Sequence, residues 1–84
     1  MYLGWYDPDK KKPARLKLED AIERYVEKFG MAPVACLTNE TEAAELAADK
    51  GAPELPTRGV AFIPRHTFYV GFEDEPAPAL PEAA

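Results

Sequence analysis

The chain contains no serine and no glutamine, and its 84 residues include a single asparagine (Asn39), a single cysteine (Cys36) and a single histidine (His66). Each scarcity removes a class of chemistry. Without serine there is no serine nucleophile for His66 to activate. One cysteine cannot close an internal disulfide, and one cysteine with one histidine cannot complete a zinc set, so no metal and no cofactor is expected. Neither G-x-x-x-x-G-K-[ST] nor G-x-G-x-x-G occurs, which removes the ordinary phosphate-cradling loops. No apolar run approaches the roughly 18 residues of a membrane-spanning helix. The opening Met1 to Tyr6 passes at once into Asp7-Pro8-Asp9 rather than into the apolar core of a signal peptide. The expectation is a cytoplasmic protein that does not enter a membrane. Scarce amides beside nine prolines and many carboxylates fit a heat-adapted host, although the codon bias of a GC-rich genome gives the same skew.

What is present is patterned. Leu18, Ile22, Tyr25 and Phe29 recur on one helical face, with Ala21 and Val26 widening the stripe, and Gly30 and Pro33 close it. Pro13 suits the first turn of that helix. Val34 to Leu37 reads as a short buried strand. Asn39 and Glu42 then carry the spacing of a capping box ahead of an alanine-rich helix that ends at Gly51 and Pro53. Tyr2 to Tyr6, Val60 to Ile63 and Thr67 to Phe72 read as three further strands, the last two joined as a hairpin through Pro64, Arg65 and His66. The expected fold is α/β, with α+β as the alternative: a small mixed sheet of about four strands with two helices, in the order β-α-β-α-β-β. Residues 1–72 form one domain, and residues 73–84 an acidic, proline- and alanine-rich tail expected to be disordered.

A domain of about seventy residues buries only roughly 60% of its unfolded surface, so its stability is marginal unless a partner adds to it. Both sides of the expected strands are apolar, more than two short helices can cover, and a homodimer is the expected answer. The formal net charge is −5, yet residues 1–17 hold five basic side chains against Asp7 and Asp9. Tyr2, Trp5 and Tyr6 lie beside Lys10, Lys11, Lys12 and Arg15, and Arg65, His66 and Tyr69 form a second group. These ten residues are the candidate partner-binding set. Trp and Tyr with Arg describe a protein-binding surface, while aromatic faces beside ammonium groups also suit a nucleic-acid strand. The reading is therefore a non-catalytic interaction or regulatory module. The alternative is a nucleic-acid-binding accessory protein, and a small enzyme using His66 with Cys36 or Tyr69 ranks third. Asp7-Pro8-Asp9 reads as a turn, and Cys36 as a buried, inert thiol.

Overall fold

A computed structural model describes residues 2–72, and the tail expected from Glu73 onward lies outside the described residues. Six elements follow one another: β1 (Tyr2–Tyr6), α1 (Ala14–Phe29), β2 (Ala35–Thr38), α2 (Glu40–Ala48), β3 (Thr57–Gly59) and β4 (Thr67–Gly71). The strands form one mixed sheet in the order β1-β4-β2-β3. β4 runs antiparallel to both its neighbours, and β2 pairs parallel with β3 across the α2 connection. This is an α+β architecture with the predicted order of elements.

Both helices cover the same face. Successive strand residues alternate sides, and the register aligns Leu3, Val70 and Cys36 in one row and Trp5, Phe68 and Thr38 in the next. Cys36, Phe68 and Val70 join Ala14, Leu18, Ala21 and Tyr25 of α1 and Leu46 of α2 in a single core. Gly30 ends α1 in the left-handed conformation with φ 76°, its N–H bonded to the Val26 carbonyl, as a glycine stop requires. Pro13 stands at the N-cap itself, one position before the first helical residue.

The third strand and the hairpin differ from expectation. Thr57–Gly59 is the strand, whereas 60–63 turns away after the Val60 N–H bonds the Thr38 carbonyl, and Phe62 is exposed. Gly59 explains the choice. A Cβ there would stand 2.9 Å from the Glu40 Cα and 3.1 Å from the Ala43 Cβ, so a strand this close to α2 needs a residue without a side chain. β3 and β4 do not pair; β4 inserts between β1 and β2, and the Asn39 side-chain amide holds the intervening loop through the Ile63 carbonyl at 2.7 Å.

Cys36 sits in the covered face and is almost fully buried. Burial pushes its thiol up to about 12 from the ordinary 9.0, with a hydrogen bond to Thr57 pulling slightly the other way. Below about pH 9 the thiol is neutral in both folded and unfolded chains and contributes nothing to the pH dependence of stability. Between about 9 and about 12 only the unfolded chain ionises, so stability falls as pH rises through that window. The slope contributed by this group approaches about 1.4 kcal/mol per pH unit. Denaturant titrations of the native chain and of Cys36→Ala, run in parallel across that range, should diverge in this sense. Parallel curves would show that the thiol ionises freely in the fold.

Candidate functional site

The turn that leads from β1 into α1 is built by two aspartates. Asp7 Oδ1 accepts from the Asp9 N–H at 3.1 Å and Asp9 Oδ1 from the Lys11 N–H at 2.9 Å, the side-chain-to-backbone bonds that make Asp a turn residue. Through these two bonds Asp7 and Asp9 act as turn formers. Their turn presents Lys10, Lys11 and Lys12 at the rim of a cleft of about 180 Å³ between the start of α1, the first turns of α2 and the approach to β4. Lys17, Glu42, Glu45, Arg65 and His66 also line it.

Two of these side chains are charged and almost fully buried: Lys17 and Glu42 are each 2% exposed. Lys17 Nζ lies 3.0 Å from His66 Nδ1. An ammonium has only donors, so opposite a charged Lys17 it is Nδ1 that accepts. Glu42 receives the Arg65 Nε–H with both oxygens, at 3.1 and 2.9 Å, and lies 3.6 Å from the same His66 nitrogen. The capping box is therefore half formed. Asn39 caps α2 by accepting from the Thr41 N–H, while Glu42 turns to Arg65. Glu45 accepts the Ala14 N–H at 2.9 Å, supplying α1 with the cap that Pro13 cannot give.

His66 occupies the left-handed region at φ 65°, the one non-glycine residue among those described to do so. Such a conformation costs about 1–3 kcal/mol and persists where surrounding bonds over-determine it. Here the ring is fixed by Lys17 and the backbone carbonyl by the Asp7 N–H at 3.0 Å, which together hold the imidazole at the cleft wall.

Five of the ten predicted binding residues thus meet in one place: Lys10, Lys11, Lys12, Arg65 and His66. Lys12 is committed to Asp20 and Asp7; chiefly the Asp20 hydrogen bond, against partial desolvation, holds its ammonium above the ordinary lysine range. The other five lie elsewhere. Arg15 pairs with Asp49 at 3.2 Å. Trp5 faces the helices, half-buried, with its indole N–H buried and lacking an acceptor among the described residues. Tyr2, Tyr6 and Tyr69 share the opposite side of the sheet, where among the described residues no helix packs, and Tyr6 is 64% exposed. The aromatic and basic residues that adjoin in sequence are therefore parted by the pleat.

Lys17 and Glu42 were not among the predicted site residues. Both had a signal: Lys17 falls on the α1 stripe with Ala14, Leu18, Ala21 and Tyr25, and Glu42 lies one turn before Leu46 on the buried side of α2. A charge on a buried stripe needs a partner. Thr38, by contrast, is buried because its hydroxyl donates to the Thr67 carbonyl at 2.6 Å, so the mouth of α2 is filled by structural bonds.

Among the described residues no helix is long and apolar enough to cross a membrane. Comparison with known proteins finds no matching family model, no matching curated protein and no matching solved structure.

Proposed function

We propose that this chain is a cytoplasmic, non-catalytic interaction module that takes an acidic segment of a partner protein into the cleft between α1, α2 and β4. One observation carries the reading: an acidic protein gathers five lysine and arginine side chains around one cleft against two glutamates, Glu42 and Glu45. Lys10 and Lys11 are exposed at its rim. Arg65 holds Glu42 through Nε, which leaves its terminal amino groups for an incoming carboxylate. Lys17 and His66 are locked together, and the cleft lining includes no serine, threonine or cysteine, which favours binding over catalysis.

A nucleic-acid strand fits less well. Base stacking needs aromatic faces beside the cations, and Trp5 is half-buried under the helices while Tyr6 and Tyr69 stand on the far face of the sheet. The overall charge of −5 also repels a long polyanion.

The test uses a short polyglutamate peptide and a single-stranded oligonucleotide with the full chain, followed by amide shift mapping. Peptide shifts should cluster at residues 10–17 and 65–66, weaken with added salt, and need about tenfold more peptide in the double variant Lys10→Glu, Lys11→Glu, a loss of about 1.4 kcal/mol. Oligonucleotide binding that is tighter and spreads onto Tyr6 and Tyr69 would replace this reading with the nucleic-acid one. No salt-sensitive binding of either probe would overturn both.

A further inference from the structure

Lys17 is a cation buried on the α1 stripe, and among the described residues no carboxylate pairs with it. Its ammonium has three N–H donors, and one of them reaches His66 Nδ1 at 3.0 Å. An accepting imidazole nitrogen brings no negative charge. The two carboxylates of the cleft are engaged elsewhere, because Glu42 receives the Arg65 Nε–H with both oxygens and Glu45 accepts the Ala14 N–H. A buried charge is ordinarily paired. Lys17 is 2% exposed, lines the cleft, and keeps two donors uncommitted among the described residues.

Further donors converge on the same point from separate elements. Arg65 enters from the approach to β4 with its terminal amino groups unused by Glu42, and Pro13 and Ala14 bring the positive end of the sixteen-residue α1, whose first turn holds no acidic residue. A carboxylate offers two oxygens in one plane. A phosphate group on a side chain offers three and carries about −1.5 to −2 charge. With Lys12 committed to Asp20 and Asp7, four cations of the cleft, Lys10, Lys11, Lys17 and Arg65, face Glu42 and Glu45. That excess matches a doubly charged group. At about 180 Å³ the cleft falls below the roughly 300–1,000 Å³ of pockets that enclose whole small molecules, so it suits one group borne on a longer segment.

We propose that the cleft floor seats a phosphate group carried on a side chain of the partner segment, with the Lys17 ammonium as its buried anchor and the terminal amino groups of Arg65 as its fork. The inference rests on the reading of the cleft as a site for an acidic segment and names the group that enters deepest. His66 holds Lys17 in place, while Lys10 and Lys11 meet the flanking acidic residues at the rim.

The experiment titrates the full chain, at fixed ionic strength, with inorganic phosphate and with two glutamate-rich peptides that differ only in a central phosphoserine or glutamate. The phosphopeptide should bind at least tenfold more tightly than its glutamate counterpart and should shift the Lys17 side-chain ammonium signal. Inorganic phosphate should shift the same signal, at concentrations at least tenfold higher than the phosphopeptide needs. Lys17→Met keeps a stem of similar size and should bind the two peptides alike. Lys10→Met should weaken both by a similar factor and keep the preference. Equal affinity for the two peptides in the native chain would overturn the proposal and leave the acidic-segment reading standing. A preference that survives in Lys17→Met would overturn the role of Lys17, and inorganic phosphate that binds as tightly as the phosphopeptide would overturn the claim that a segment carries the group. Phosphate shifts at Lys17 without binding of either peptide would remove the acidic-segment reading, and the phosphorylated segment with it.

Discussion

Phe68→Ala should leave the chain largely unfolded at room temperature, whereas Phe62→Ala should be nearly silent. Phe68 lies at the centre of the sheet with no solvent exposure, between Trp5 on β1 and Thr38 on β2. Truncating a buried phenylalanine costs about 3–5 kcal/mol, part lost transfer energy and part residual cavity. A single core in a domain of this size rarely supplies more than about 3–5 kcal/mol of net stability, so the loss is comparable to the whole. Phe62 is 53% exposed in the 60–63 turn, and a surface change of this kind stays within about ±0.5 kcal/mol. Urea titrations followed by circular dichroism measure both. A Phe68→Ala variant that keeps a cooperative transition near the native midpoint would mean that the core can collapse around the loss.

That pair also shows where sequence reasoning stops. Val60 to Ile63 and Thr67 to Phe72 present the same apolar alternation, and periodicity alone puts Phe62 and Phe68 on one face. What separates them is tertiary. Gly59 lets β3 lie against α2, the strand ends there, and the chain must then loop back so that β4 can enter between β1 and β2. No local signal encodes that insertion. The helices were legible because their determinants are local: Leu18, Ala21 and Tyr25 sit at helical spacing and are buried, Gly30 stops α1, and Asn39 caps α2. Val26, on the margin of the same stripe, is exposed, which marks the true width of the buried face.

The cleft was half legible for the same reason. Its rim lysines adjoin in sequence and their turn chemistry is local. Its floor is assembled from Lys17 with His66, forty-nine positions apart, and from Glu42 with Arg65, twenty-three apart. Glu42 also had a competing local use, the capping box, and the ion pair with Arg65 took its place.

Arg65→Ala should cost more stability than Glu42→Gln, although both remove the same ion pair. The asymmetry comes from what is left behind. Glu42 is buried and Arg65 is about half exposed. Removing Arg65 strands a carboxylate away from water; a fully buried pair broken this way loses about 3–5 kcal/mol, and the exposed side of Arg65 reduces the expectation to about 2–3. Removing the charge of Glu42 frees a guanidinium that water already reaches, and a glutamine side chain still accepts one hydrogen bond, for a cost of about 1 kcal/mol. Urea titrations of the two variants side by side measure the difference. Equal losses would mean that another group of the cleft takes the place of Arg65 beside Glu42, where His66 Nδ1 already lies 3.6 Å away.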